Sequence, residues 1–280
     1  MLNTMATETK YRLFWVMGTV ISFMLYFSGI VALYSFLRRK SNRLLVRIIT
    51  YHRIDDGRRN PNITVSKDNF QKQIKFLKEK FSVVALSEIV NYAKDKNIAL
   101  SCDTVAITFD DGFEDNFTNA FKILRSYALP ACVFLVSGSI GNKGMLSQIE
   151  IQEMFKNNIT FGSHTVDHPN LTEVSTQNLE NEIKNSKAAI SEIINSEVEF
   201  FAYPKGKKNN FNEEIKMLVK DAGYQAAFTT ENKDIKKNAD PFELGRIGIR
   251  NCPMFVFKTR ISGIFECGFF SFLRNHLKLT

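Results

Sequence analysis

The stretch Thr104–Gly112 reads TVAITFDDG, an apolar run that ends in two adjacent carboxylates and a glycine. A short apolar run bounded by turn residues predicts a buried strand over Thr104–Phe109. Two neighbouring carboxylates at a strand end are costly unless a cation or a proton compensates them. The stretch therefore predicts either a chemical site built on Asp110 and Asp111 or, more simply, a loop in which an aspartate caps the next helix.

Short apolar runs alternate with longer amphipathic stretches on both sides of this segment. The predicted strands are Leu44–Thr50, Thr104–Phe109, Ala131–Val136, Ile159–Gly162, Phe200–Tyr203 and Gln225–Thr229. The predicted helices are Asn69–Lys80, Leu86–Lys94, Asn116–Tyr127, Ser147–Lys156, Thr176–Asn195 and Asn212–Ala222. Such alternation predicts parallel strands joined by crossover helices. About seven units favour an α/β fold of the distorted (β/α) barrel type, in which functional residues follow the carboxyl ends of strands.

Residues 13–37 form a run of 25 residues without a charged side chain. A helix of that length reaches about 37 Å and could cross a hydrocarbon core of ~30 Å. We therefore expect an N-terminal tail over 1–12, a transmembrane helix over 13–37 and a basic juxtamembrane linker over 38–43. The heavier basic flank follows the run, which favours a single-pass protein of the cell (inner) membrane with its catalytic domain on the cytoplasmic face.

The basic surplus lies at the two ends of the chain. The net charge is +8 for the whole chain, whereas the balance is +7 over 1–60, −3 over 61–240 and +4 over 241–280. A main domain without a basic surplus argues against nucleic acid as a partner. The basic ends favour contact with anionic membrane lipids. The Phe-rich, basic segment 253–280 is either a last helix that covers the barrel or a segment that lies on the membrane.

A second candidate site follows the predicted strand Ile159–Gly162. The sequence there is SHTVDHP, with His164 and His168 four positions apart. If the stretch is helical, both imidazoles face one side and can hold one metal ion. The pair is common by chance, but with an aspartate from another strand end it forms a His₂Asp set. Three protein ligands with an open position are typical of catalytic zinc.

These segments together resemble the polysaccharide deacetylases of the NodB-homology type (carbohydrate esterase family four). The resemblance extends from about Leu45 to about Ile249. It rests on TFDDG at 108–112, HTVDH at 164–168 and FAYPKG at 201–206, a segment that by itself predicts only a turn. The resemblance implies a deacetylase domain over 44–252. It also implies a metal-dependent hydrolase that removes the acetyl group from an N-acetylated amino sugar.

The resemblance also implies roles for individual residues. Asp110 would be the general base, and the metal ligands would be Asp111, His164 and His168. Zinc fits this donor set best, although Mn²⁺, Co²⁺ or Ni²⁺ could occupy it. The oxyanion would be held by the turn that contains Tyr203, Pro204 and Lys205, through the backbone N–H of Lys205.

Two positions depart from the family pattern, because Ala202 stands where an arginine is frequent and Lys205 where a tyrosine is frequent. The arginine that orients the base must then come from elsewhere, and Arg246 is our candidate. No late Leu-x-x-His motif is present, so His52 after Tyr51 is the candidate general acid. The simpler interpretation of His52 is a structural histidine at the rim of the barrel.

Three hypotheses for the function remain open from the sequence. The first is deacetylation, or deformylation, of an amino sugar on a polyprenyl-phosphate carrier at the membrane. The second is deacetylation of an extracytoplasmic polysaccharide such as poly-N-acetylglucosamine, peptidoglycan or a chitin-like chain. The third, from another class, is a membrane-tethered module that binds glycans without turnover.

Overall fold

The computed structural model describes residues 2–57 and 60–266, with side chains from residue 15 onward. This part of the chain forms two compact units. The larger unit is Leu45–Asn251, and the smaller combines the described residues before and after it. We refer to them as the catalytic unit and the terminal unit.

Most strands of the catalytic unit follow the predicted runs, and several two-residue strands are added. The strands are β1 Val46–Tyr51, β2 Arg53–Ile54, β3 Thr64–Val65, β4 Ser82–Val83, β5 Thr104–Phe109, β6 Ala131–Leu135, β7 Ile159–Ser163, β8 Phe200–Ala202, β9 Ala226–Thr229, β10 Leu244–Gly245 and β11 Ile247–Gly248. The main sheet is parallel, in the order β10-β9-β8-β7-β6-β5-β1-β11, with β4 added beside β5.

The two edges of this sheet are β10 and β11, which are separated in the chain by Arg246 alone. One residue therefore connects the two edges, and the eight strands in this order form a nearly closed barrel. The predicted α/β barrel is confirmed, with eight strands where about seven units were expected. Two-residue strands such as β10 and β11 are too short for a periodic pattern to predict them.

The helices in chain order are α1 Leu2–Phe27, α2 Ile30–Lys40, α3 Lys67–Lys80, α4 Leu86–Lys94, α5 Lys122–Ser126, α6 Gln148–Phe155, α7 Thr176–Ile194, α8 Glu213–Asp221 and α9 Met254–Ile261. N-cap residues explain where several helices begin. The side chains of Ser66, Ser147 and Asn212 accept hydrogen bonds from backbone amides in the first turns of α3, α6 and α8, respectively. The helix predicted over Asn116–Tyr127 instead begins as a π-helical turn, Asn116–Phe121.

The register of the sheet brings the strand ends to one rim. Tyr51 pairs with Phe109, so β1 and β5 end at the same level. Ser163 at the end of β7 pairs with both Leu135 of β6 and Phe201 of β8. The residues that follow these strands therefore meet at the carboxyl-terminal rim of the barrel, where the sequence predicted them.

The terminal unit corrects the prediction of one continuous helix over 13–37. The chain leaves the helical conformation at Ser28 and Gly29, and Gly29 has φ +80°. A left-handed residue interrupts the ladder of i to i−4 hydrogen bonds, and glycine adopts it without steric cost. The helix axes on the two sides differ in direction by 67°.

Within the described residues, no single helix has the length and apolarity that a membrane span requires. Trp15–Phe27 and Ile30–Lys40 reach that length and apolarity only when they are taken together as a bent pair. The start of the predicted tail 253–280 forms α9, whose interior side chains are Val256, Phe257 and Ile261. The remainder of that segment after residue 266 lies outside the described residues.

Candidate active site

Asp110 directly follows β5, and its carboxylate forms a bidentate pair with Arg246. Asp110 Oδ1 lies 2.6 Å from Arg246 Nη1, and Oδ2 lies 2.9 Å from Nη2. Burial would raise the pKa of Asp110, but Arg246, followed by His164 and His52, outweighs burial and lowers that pKa to about 2. A fully buried carboxylate is thus kept ionised at neutral pH.

Arg246 is itself fixed from several sides. Its Nε donates to the carbonyl of Thr229 at 3.2 Å, and its Nη1 lies 3.4 Å from the hydroxyls of both Thr50 and Thr108. Its guanidinium carbon lies 5.0 Å from the ring centroid of Phe134. The residue that connects the two edges of the barrel therefore holds the Asp110 carboxylate in one orientation, as the sequence hypothesis for Arg246 requires.

Asp111, His164 and His168 bring three possible metal-ligand atoms together. Asp111 Oδ1 lies 3.7 Å from His164 Nε2 and 3.7 Å from His168 Nε2. All three ligand atoms lie within 4.8 Å of one another. These separations exceed hydrogen-bond length, so the carboxylate is not simply bonded to the imidazoles.

The chemistry of His164 fits a metal ligand. Its Nδ1 lies 2.7 Å from the carbonyl of Ala202, and a carbonyl can only accept, so Nδ1 carries the proton and Nε2 has a free lone pair. Burial lowers the pKa of His164 to about 4, which keeps the imidazole neutral at neutral pH. A backbone acceptor for the second ring nitrogen is the usual arrangement around metal-bound histidine.

The separations between Asp111 and the two histidines also fit a tetrahedral divalent ion in size. Ligands at ~2.0–2.2 Å from a tetrahedral ion are about 3.4 Å apart. The observed 3.7 Å separations are close to that value. Two imidazoles and one carboxylate leave one position open, which is the arrangement of a catalytic site.

The loop that carries both histidines is not helical, so His164 and His168 come together in a way other than the helical spacing that the sequence analysis considered. Thr165 and His168 have φ of +70° and +57°, and Asp111 has φ +73°. Left-handed conformations are costly for residues other than glycine and concentrate at functional sites. The imidazoles converge through these turns, with ring centroids 4.7 Å apart.

Helix α7 fixes this loop through two side chains one turn apart. Glu182 Oε2 accepts from the amides of Val166 at 2.9 Å and Asp167 at 3.0 Å. The buried Ser186 hydroxyl lies 2.7 Å from that of Ser163, and it donates to the carbonyl of Thr165 at 3.0 Å. We did not predict these contacts from the sequence, although polar side chains beside the apolar positions of α7 could have indicated them.

His52 lies between β1 and β2 at the same rim. Its carbonyl accepts from Asn116 Nδ2 at 2.7 Å, and the next residue, Arg53, pairs with Asp115 at 2.8 Å. Its charge is near enough to lower the pKa of Asp110. The start of the π-helical turn therefore holds the His52 backbone beside the base. Neither Asn116 nor Asp115 was predicted from the sequence.

The structure separates the three residues of the 203–205 turn. Tyr203 is buried, and its hydroxyl donates to the carbonyl of Phe242 at 3.1 Å, so this side chain does not reach the rim. Pro204 is also buried. Lys205 is exposed with φ +61°, and no acceptor for its amide occurs among the described residues. Of the three, Lys205 alone offers a free donor, through its backbone.

Thr230 holds the backbone of this turn. Its hydroxyl donates to the Lys205 carbonyl at 2.8 Å, and its amide donates to the Gly206 carbonyl at 2.9 Å. A Cβ on Gly206 would lie 2.7 Å from the Thr230 amide nitrogen, and Gly206 has φ +63°. Glycine is therefore required at 206, and the Lys205 amide is held in a fixed position.

This chain is similar to known polysaccharide deacetylases. The family model described as polysaccharide deacetylase matches residues 97–227. The poly-β-1,6-N-acetyl-D-glucosamine N-deacetylase of Staphylococcus aureus (strain MRSA252) is 31% identical over 206 residues, which are 66% of this chain and 68% of that protein.

Two solved structures share the fold. The deacetylase PplD of Streptococcus pyogenes, solved in complex with acetate, is 25% identical with a TM-score of 0.71, over 78% of this chain and 98% of PplD. The polysaccharide deacetylase BC0361 of Bacillus cereus is 26% identical with a TM-score of 0.68, over 78% of this chain and 69% of BC0361.

Proposed function

Because this chain belongs to the polysaccharide deacetylase family, and is thus a hydrolase of carbon–nitrogen bonds, we propose that it removes the N-acetyl group of an amino sugar. The observation that carries the proposal is the convergence of Asp111, His164 and His168 beside Asp110. Three ligands, a separate ionised carboxylate and a free backbone N–H meet at one rim. This set supplies the groups that amide hydrolysis requires.

Asp111, His164 and His168 would hold a divalent metal, which we propose to be zinc. When bound there, the metal supplies a Lewis acid that polarises an amide carbonyl and makes water more acidic. Asp110 is not part of the ligand set, so its carboxylate is free to accept a proton from the attacking water. Arg246 keeps this carboxylate ionised and oriented before the proton arrives.

Two further groups complete the reaction. The amide of Lys205 is fixed by the Thr230 contacts and can donate to the oxygen that becomes negative as water adds to the carbonyl. The amine must leave protonated, and we assign the donor to His52. The Asn116 contact to its carbonyl holds the His52 backbone near Asp110.

The direct test is acetate release from an N-acetylglucosamine oligomer by the purified full-length chain. Asp110→Asn should retain the metal and lower turnover by ~10²–10⁴-fold, because only the proton acceptor is lost. The matched control is Asp167→Asn, an exposed carboxylate in the histidine loop, which should leave turnover unchanged. No turnover by the wild-type chain, together with glycan binding that is unchanged in Asp110→Asn, would favour the glycan-binding hypothesis.

For the natural substrate we favour an amino sugar linked to a polyprenyl phosphate. The support is the terminal unit, whose exposed apolar residues and basic flank suit attachment to the cell membrane. We place the catalytic unit on the cytoplasmic side because the basic residues after the apolar run are attracted to the anionic cytoplasmic leaflet. Whether an acetyl or a formyl group is removed depends on the space that the site offers around the carbonyl carbon that water attacks.

A polymeric substrate is the second candidate, because the relative from S. aureus carries the name of a poly-β-1,6-N-acetyl-D-glucosamine N-deacetylase. Mass spectrometry of membrane glycolipids from cells with the wild-type chain or Asp110→Asn separates the two. A prenyl-linked amino sugar that gains the mass of one acetyl group in the variant supports the lipid-linked substrate. An unchanged lipid pool together with an altered polysaccharide supports the polymer.

A further inference from the structure

Apart from Trp15, which is 46% exposed, the exposed apolar side chains in the described part of α1 lie along one face. Val16, Val20, Phe23, Met24 and Phe27 are each at least 45% exposed. Their spacing of i, i+4, i+7, i+8 and i+11 defines a single stripe on an α-helix. The stripe continues on α2 with Ile30, Leu33, Phe36 and Leu37, which are also exposed. We call these nine residues the apolar stripe.

The opposite face of the same helices is covered within the terminal unit. Leu25 and Val31 are buried in a small cluster with Ile264 and Phe265. Ser22 is buried on this face as well. The exposed apolar surface of the helix pair is therefore one-sided, which is the pattern of a helix that lies at an interface.

A cation lies beside the middle of the uncharged run 13–37. Lys258 of α9 donates from Nζ to Tyr26 Oη at 3.3 Å and lies 5.6 Å from the centroid of the Tyr26 ring. The ring of Phe255, also in α9, lies 5.8 Å from that of Phe23. If residues 13–37 crossed a bilayer, Tyr26 would lie near the centre of the bilayer. Lys258 of α9 would then lie at the same depth.

An ammonium group at the bilayer centre is costly, whereas lysine and tyrosine are both favourable at the level of the headgroups. The contact between Lys258 and Tyr26 thus indicates that the middle of the run lies at the polar boundary. At the end of α2, Arg39 and Lys40 are exposed in a basic last turn, whereas Arg38 in the same turn is buried. Cations in this position favour a leaflet that contains anionic lipid.

We propose that the apolar stripe is embedded in the surface of an anionic lipid bilayer, and that residues 13–37 lie along one leaflet instead of crossing it. The inference is independent of the deacetylase proposal, because it rests on residues of the terminal unit alone. Acetate release from a soluble oligomer can be measured without lipid, so failure of one proposal is distinguishable from failure of the other.

The depth of the stripe in the bilayer tests the proposal. Trp15 is the single tryptophan of the sequence, so Met24→Trp combined with Trp15→Phe gives one fluorescent probe in the stripe. The full-length chain is mixed with vesicles of phosphatidylglycerol and phosphatidylcholine that carry bromine at shallow or deep acyl positions. We expect a probe depth of about 5–10 Å below the headgroup boundary. The affinity for vesicles of phosphatidylcholine alone should be at least about tenfold lower.

A probe near the bilayer centre, about 15 Å from the boundary, would overturn the proposal in favour of a crossing run. An absence of quenching would also overturn the proposal and would indicate that the apolar stripe binds a protein partner. The control is Ile149→Trp with Trp15→Phe, at a residue of α6 that is 78% exposed, and it should not be quenched. Equal quenching there would also contradict the proposal. Val20→Trp with Trp15→Phe repeats the measurement if the Met24 variant does not fold.

Discussion

Asp110 and His52 are proposed to move protons in opposite directions, and this difference can be measured. An amine must be protonated before it leaves, whereas 4-nitrophenolate leaves as an anion. We expect His52→Gln to slow deacetylation of an N-acetylglucosamine oligomer by ~10²–10⁴-fold and to leave hydrolysis of 4-nitrophenyl acetate within about tenfold of the wild type. Asp110→Asn should slow both reactions. Equal losses on both substrates in His52→Gln would support the structural interpretation of this histidine.

Arg246 should matter for stability because it compensates a buried charge. Arg246→Met leaves the Asp110 carboxylate buried without its cation, and we expect the free energy of unfolding to fall by about 3–5 kcal/mol. Urea denaturation of the metal-free chain measures this loss. In the double variant with Asp110→Asn the uncompensated charge is removed, so the loss should be smaller than the sum of the two single losses. Additive losses would contradict a direct energetic link between the two side chains.

At this scale the sequence predicted which candidate residues meet at the rim better than it predicted the orientation of their side chains. The TFDDG and HTVDH segments indicated candidate site residues only together and through the family resemblance, because each segment alone also fits a loop or a chance pair. The Tyr203 phenol could not be placed in the same way, because a sequence does not show which way a side chain at a strand end turns. Its ring packs against Phe211 with centroids 4.4 Å apart, and this contact directs it into the interior.

Helix α7 acts on the metal site through the loop that it fixes. Glu182 accepts from two loop amides and does not belong to the donor set, so it is a positioning residue. We expect Glu182→Ala to weaken zinc affinity by about 10–100-fold, as loss of an outer contact to metal ligands does. Competition with a chelating dye measures the affinity.

The matched control for this prediction is Glu180→Ala, a glutamate on the same helix whose side chain is 42% exposed and pairs with Lys184. It should leave zinc affinity unchanged. Glu182→Gln keeps an oxygen acceptor and should restore part of the affinity that alanine loses. A loss in Glu180→Ala as large as that in Glu182→Ala would assign the effect to helix stability instead of to the loop.

Elements with a clear period were predicted well, and those that depend on distant contacts were not. Strand β5 and helix α4 begin and end where the sequence placed them. The bend at Gly29 was missed, because an apolar run continues across it without a change of composition. Strands β10 and β11 were also missed, because hydrogen bonds to β9 and β1 define them and two residues carry no pattern.

The terminal unit shows what a linear pattern cannot predict for the whole molecule. Segments from the two ends of the chain form one compact unit, in which Tyr34 Oη donates to the carbonyl of Gly263 at 3.0 Å. The charge pattern indicated that both ends are basic, and the sequence therefore suggested that both contact a membrane. It did not indicate that they pack against one another, because contacts between residues so far apart leave no local periodicity.

Metal binding should stabilise the catalytic unit and leave the terminal unit unchanged. Asp111 follows β5, whereas His164 and His168 follow β7, so a bound ion links two separate segments of the barrel. The unfolded chain does not hold these ligands together, and zinc at 100 times its dissociation constant should therefore add about 2.7 kcal/mol to the free energy of unfolding. Urea denaturation with and without zinc measures this gain.

Asp111→Asn should abolish the zinc-dependent gain, because one of three ligands is lost, whereas Asp167→Asn in the histidine loop should retain it. The basic ends of the chain offer no set of acidic or imidazole ligands among the described residues of the terminal unit. The gain should therefore be confined to the transition of the catalytic unit. An equal gain in Asp111→Asn would place the zinc elsewhere, and the proposed site would then have to be abandoned even if the enzyme proved active.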